Sequence, residues 1–463
     1  MSSSVSLAGY SPYPCAGEDD DTRCMPCRPT ANLARRYLGK GFVGNGCRPM
    51  DLCRKSEWGI SMAERRPVMD WARDFDHLDG AWVDDPFRIW DRLRQECPVA
   101  HTDRYRGVYL PTRYEDVRAI ALDHENFSSR QVIVRDFVPA RGGSAPPITN
   151  DPPRHGNARR ALLPAFTPPA VERLVPRTRE ICNELIDAIL ARDGGRSDAA
   201  LDYAQHVPVR VIALLLGVPD SDGDRFRHWI LQQLELGVEA SAELEQSLAE
   251  MADYFGDLVA MRQRQDTASA EPDTDVVARL LQARYEDGTQ FSTTHVVNSL
   301  RLLLVAGIDT TWSAIGAALW HLARVPADRT RLVAEPALIP TAIEEFLRAY
   351  APVTMARKIK NDTLLGGCRY SAGEMVLLPF PAANRDPRFI ADPDKVVIDR
   401  KENRHATFGL GIHRCLGSNL ARMELKVALE EWLKRIPDFT LDGDVTWSPG
   451  QVRGPRRVPL QLG

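Results

Sequence analysis

Cys415 stands in the string Phe408-Gly-Leu-Gly-Ile-His-Arg-Cys-Leu-Gly417, directly ahead of a helical run from Ser418 to Ile436. Gly409, Gly411 and Gly417 permit tight turns and a close approach of the backbone to a flat ligand. A cysteine at a helix N-terminus is stabilised as the thiolate by free N–H groups and by the helix dipole. Such a sulfur is a soft, electron-rich ligand for iron. A lone cysteine is commonly a buried and inert side chain, so the whole string carries the inference. A second chemical feature is polar: Asp309, Thr310 and Thr311 interrupt the apolar stretch Leu302–Gly316. Polar groups in a buried helix are costly unless partnered or used, and here use is inferred. Two further pairs stand at helical spacing, His155 with Arg159 and Glu345 with Arg348, and each pair shares one helix face.

The elements that must position these residues are mostly helices. Pro86–Arg94 and Tyr114–Asp123 read as helices flanking a strand at Val108–Pro111, and helical patterns follow over 170–192, 202–216, 223–236, 241–265 and 274–286. The longest runs from the N-cap Ser292 to Arg324, where Pro326 stops it. It is apolar nearly all round at its centre, which implies burial, and Gly307, Asp309, Thr310 and Thr311 are expected to weaken its order there. Residues 130–150 are rich in Pro and Gly and read as a long binding loop or lid.

Taken together the motifs resemble those of the cytochrome P450 family, over residues 70 to 463. Phe408–Gly417 fits the family's cysteine-ligand loop, F-x-x-G-x-x-x-C-x-G, at every fixed position. Glu345-Phe-Leu-Arg348 looks like its E-x-x-R motif; alone the pair would read as a solvated surface pair. Ala306-Gly-Ile-Asp-Thr-Thr311 is similar to its oxygen-activation motif, and Asp151-Pro-Pro-Arg-His155-Gly-Asn-Ala-Arg159 to the segment that opens its haem-facing helix.

The resemblance implies a mainly α fold with small β-sheets, the P450 triangular prism, and haem b held by Cys415. A thiolate behind haem iron pushes electron density forward and favours O–O cleavage. It further implies that His155, Arg159, Arg357 and His405 bind the haem propionates, with His413 assisting or merely packed. Arg400 would complete the Glu345–Arg348 lock. Asp309 and Thr310 would deliver protons for dioxygen cleavage, Thr310 by positioning water and Asp309 by relaying from solvent. A threonine back-bonded to its own helix is the competing reading for Thr311. Val305, Ala306, Val353, Thr354 and Met355 are expected to line an apolar pocket for a small hydrophobic substrate. Arg135, in the long loop, reads as a solvated arginine, with carboxylate binding as the alternative.

The implied activity is that of a monooxygenase inserting one oxygen atom, with electrons passed from NAD(P)H through a separate ferredoxin reductase and ferredoxin. A peroxide-driven peroxygenase or a rearrangement enzyme of the same fold is one alternative; the intact acid–alcohol pair argues against it. A non-catalytic haem sensor is another. A net charge of -4 offers no bulk attraction to nucleic acid. No apolar run of about 18 residues lacks charges, so no membrane span is expected, and the cytosol is the expected compartment. Residues 1–68 read as a leader without a core of its own, ahead of a haem domain over 69–463. Five of the nine cysteines fall in it. Cys24 and Cys27 have zinc-knuckle spacing, and Cys47 and Cys53 could complete a four-thiolate site; scattered thiols in an unstructured segment are the preferred reading.

Overall fold

The computed structural model describes residues 65–137, 144–235, 241–264 and 275–463. The leader cysteines and their zinc reading lie outside these residues, as does the centre of the 130–150 loop. Arg65 and Arg66, which the sequence assigned to the leader, pair with Asp76 and Asp74, so the folded chain begins before residue 69.

The principal helices are α1 (Pro86–Glu96), α2 (Tyr114–Leu122), α3 (Arg154–Leu162), α4 (Val175–Leu190), α5 (His206–Leu216), α6 (Gly223–Leu234), α7 (Ala242–Arg264), α8 (Val276–Gln282), α9 (Thr293–Arg324), α10 (Ile339–Ala349) and α11 (Ser418–Arg435). Local chemistry sets their ends. Asp85 accepts the Phe87 N–H ahead of Pro86, and Ser292 Oγ accepts the His295 N–H at 3.2 Å to start α9.

The largest core cluster gathers around α9, with Ile186 of α4, Val211 of α5, Phe255 of α7 and Trp432 of α11 all fully buried. Its apolarity, enough by length and composition to cross a membrane, is accounted for by this burial. Contrary to expectation, α9 stays helical through Gly307–Thr311. Gly307 lets α5 come close: a Cβ there would sit 2.9 Å from Ile212 Cδ1.

The main sheet has five strands, β1 (Val99–Thr102), β2 (Val108–Pro111), β3 (Phe127–Ser128), β4 (Thr354–Ile359) and β5 (Met375–Pro379), in the order β1-β2-β5-β4-β3. β2 and β5 are parallel and the other pairs antiparallel, with Arg357 opposite Val376. A three-stranded sheet orders Arg196–Asp198, Pro459–Leu462 and Phe439–Leu441. Near the C-terminus, Thr446–Trp447 pairs with Pro455–Arg457 and brings the chain back against the middle of α9. There a Cβ added at Gly454 would meet Ser313 Cβ at 2.2 Å.

Candidate active site

Gly409 and Gly411 take φ values of +71° and +68°, and a Cβ at Gly411 would come within 2.9 Å of the Ala121 carbonyl oxygen. The loop can therefore turn as it does only with glycine at these positions. It is closed by the Gly409 N–H donating to Ala406 O at 2.8 Å and the Cys415 N–H to Phe408 O at 2.7 Å. This sets Cys415 three residues ahead of α11. Cys415 lies deep within the protein yet keeps accessible surface. Burial pushes its thiol pKa up, opposed by the Gly417 N–H and by Arg159, Arg414 and Arg422. An anionic sulfur at this depth therefore calls for a cation at close range.

Basic side chains converge beside it. The His155 and His413 rings meet edge to face, with centroids 4.3 Å apart. Desolvation, then Arg357, His155 and Arg159, drive the His413 pKa down to about 3. His413 Nε2 pairs with Ser129 Oγ at 2.9 Å. His155 Nε2 is buried without a partner. Arg357 is buried and, among the described residues, donates only to the carbonyl of Ala356, and burial lowers its pKa to about 10. The carboxylate that acts on this group is Asp151, and it accepts from Ser128 Oγ at 2.6 Å and the Ser129 N–H at 2.9 Å. Two arginines and two histidines beside one engaged carboxylate make a donor set that fits a ligand bearing anionic arms.

His405 does not join them. Its Nε2 pairs with Glu344 Oε2 at 3.1 Å and its Nδ1 accepts the Thr407 N–H at 3.3 Å, so both ring nitrogens are engaged and the expected propionate contact is withdrawn. Glu344 also accepts from Arg422 at 2.6 and 2.9 Å. Burial opposes its ionisation, but Arg422 and His405 hold its pKa down to about 2.

Glu345 and Arg348 are fully buried rather than a surface pair. Arg348 grips Glu345 through two hydrogen bonds of 2.8 Å, and Arg400 Nε reaches the same carboxylate at 3.0 and 3.1 Å. Asn403 and the Val397 N–H add contacts of 3.0 and 2.8 Å, while Arg348 also holds the carbonyls of Pro393 and Lys395. The network ties α10 to the segment leading into the cysteine loop.

On α9, Thr310 Oγ1 donates to Ala306 O at 2.9 Å, yet Thr310 and Ala306 keep accessible surface on a helix that is otherwise largely buried. Asp309 is fully buried. Arg456 Nη2 donates to its Oδ1 at 2.7 Å, while Oδ2 has no partner. Arg456 also donates to Glu235 Oε1 and, at 3.0 Å, to Ser313 Oγ. Desolvation raises the Asp309 pKa to about 6; Arg456 works against this and Glu235 adds to it. The sequence reading missed Arg456 and Glu235. Among the expected pocket residues, Val305, Val353 and Met355 are half-buried, but strand alternation turns Thr354 to the face opposite Met355, where it is buried. Its assignment to the pocket is therefore withdrawn.

The family model for cytochrome P450 matches residues 236–442. The chain is 38% identical over 386 residues to the mycinamicin IV hydroxylase/epoxidase of Micromonospora griseorubida, covering 80% of this chain and 94% of that one. It is 32% identical to the cytochrome P450 monooxygenase PikC of Streptomyces venezuelae, over 88% and 97% of the two chains. The solved structure of CYP109Q5 from Chondromyces apiculatus superposes with a TM-score of 0.76 at 32% identity, covering 85% of this chain and 99% of that chain.

Proposed function

The chain belongs to the cytochrome P450 family and is a haem-dependent monooxygenase of the bacterial type, and from this we propose that Cys415 is the thiolate ligand of the haem iron and that Asp309 and Thr310 deliver its protons. The observation that carries the reading is the meeting of Cys415 with His155, Arg159, Arg357 and His413, basic groups with too few carboxylates of their own. These four would hold the two propionates of haem b. Bound there, the haem would supply reductive activation of dioxygen.

The rest of the work falls to the protein. The Glu345–Arg348–Arg400 network fixes the approach to the cysteine loop. Thr310, back-bonded but accessible, orients a water or hydroxyl at the reacting oxygen. Asp309, its pKa raised by burial to about 6, exchanges a proton between that position and the Arg456–Glu235 side. Val305, Ala306, Val353 and Met355 face an apolar small substrate and exclude water from it. Relatives are named as a mycinamicin IV hydroxylase/epoxidase and a vitamin D(3) 25-hydroxylase, which supports a small organic molecule as the substrate. Electrons come from NAD(P)H through a separate ferredoxin and its reductase, in the cytosol.

The test is a reconstitution with surrogate ferredoxin and reductase across a panel of apolar compounds screened by Soret shift. Product carrying one oxygen atom from labelled dioxygen supports the reading. Haem binding with no oxygenated product from any compound that shifts the Soret band would favour a sensor.

A further inference from the structure

A second cavity, of about 70 Å³, lies on the other face of the main sheet. Side chains alternate along a strand, so while Arg357 of β4 points toward the histidines, its neighbour Lys358 points away and lines this cavity. Arg106, Arg135, Phe137 and Met375 line it too, and among the described residues no carboxylate does. Each of the three cations donates to a backbone carbonyl: Arg106 to Asp136 at 2.9 Å, Arg135 to Gln233, and Lys358 to Gly373. Among the described residues none of them pairs with a carboxylate.

Arg135 is the telling one. Its Nε is buried without a partner, and desolvation draws its pKa down to about 10. Elsewhere Arg94, Arg329, Arg348 and Arg456, all buried, each meet a carboxylate. Arg135 is the desolvated one of the three, and a paired anion would offset its loss of hydration. Phe137 and Met375 add an apolar wall.

We propose that this cavity is a binding site for a small amphipathic anion, a carboxylate or phosphate monoester, with its head on Arg106, Arg135 and Lys358 and its apolar body against Phe137 and Met375. Charge-assisted hydrogen bonds from arginine supply the strength, and the aromatic wall selects against purely inorganic ions. Lys358 and Arg357 point to opposite faces of β4, so an anion held by Lys358 is expected to leave the haem spectrum unchanged.

The experiment is calorimetric titration of the holoenzyme at low salt with phenyl phosphate and with benzoate, using benzyl alcohol as the uncharged control. Saturable binding of at least one anion is expected, without a Soret shift and without binding of benzyl alcohol at the same site. Whichever anion binds tighter identifies the preferred head group. Arg135→Gln and Lys358→Gln should each weaken binding about tenfold or more, with haem content and thermal midpoint kept as the control for folding. No saturable uptake of either anion by the unmodified protein would overturn the proposal. So would affinity unchanged in both variants, or displacement of the anion by imidazole bound at the haem.

Discussion

Arg456 holds Asp309 by one carboxylate oxygen, 2.7 Å from its Nη2, and leaves the other oxygen buried and unpartnered. The same guanidinium also holds Glu235, so a single arginine from the C-terminal hairpin joins the middle of α9 to the end of α6. Burial raises the Asp309 pKa from 3.8 to about 6, with Arg456 opposing the rise and Glu235 reinforcing it.

The sign of each effect gives the first prediction. Arg456→Leu removes the opposing cation and leaves Glu235, so the Asp309 pKa rises above 6; Glu235→Gln removes the reinforcing anion, so it falls. The protonated carboxyl band in the infrared, followed against pH, reads this directly. Because the folded-state pKa lies above the unfolded value, the associated stability is full below about 3.8 and is lost as pH climbs through about 6. Shifts in the same direction in the two variants would remove Arg456 and Glu235 as the groups that set this pKa.

Thr310→Ala removes one hydroxyl whose hydrogen bond is to its own helix, so stability should change by no more than about 1 kcal/mol. Haem content and substrate-induced Soret shifts should persist. Cofactor and oxygen consumption should continue, with hydrogen peroxide replacing most of the oxygenated product. Product, peroxide and cofactor measured together check this; unaltered coupling would exclude proton delivery by Thr310 and favour a peroxide-driven mechanism.

Glu345→Gln should destabilise the protein by roughly 3–5 kcal/mol, since it leaves Arg348 buried and Arg400 short of a partner. The fall in thermal midpoint should come with loss of haem, because the network reaches the segment that leads into the cysteine loop. A variant of normal stability and haem content would show that the network is not needed to position that loop.

Electron delivery gives the fourth. Arg154, Arg160 and Arg414 are exposed around α3 and the cysteine loop, though Arg160 is partly answered by Glu286 at 3.0 Å. Reversing Arg160 and Arg414 to Glu should slow reduction by an acidic ferredoxin, most strongly at low salt. Equal rates at low salt would place the encounter on another surface.

Much of this was legible in the sequence because it is local. The Ser292 cap, the stop at Pro326 and the helix after Cys415 follow from patterns a few residues long. The Cys415 string and the Glu345–Arg348 spacing carry their geometry within one loop or one helix turn. What was not legible depends on distant chain segments meeting. Arg456 lies 147 positions from Asp309 and 221 from Glu235, and no spacing rule connects them. His405 was misassigned for the same reason, since Glu344 on α10 captures it. Arg135 read as a solvated arginine because nothing local shows that α6 and the sheet bury it.

The most direct test of the account is the absorption spectrum of the reduced protein under carbon monoxide. Unmodified protein should show the red-shifted Soret band characteristic of thiolate-ligated haem, and Cys415→Ser should lose that band while the folded protein persists. A red-shifted band retained in Cys415→Ser would mean that another residue holds the iron, and the site built around Cys415 would be wrong.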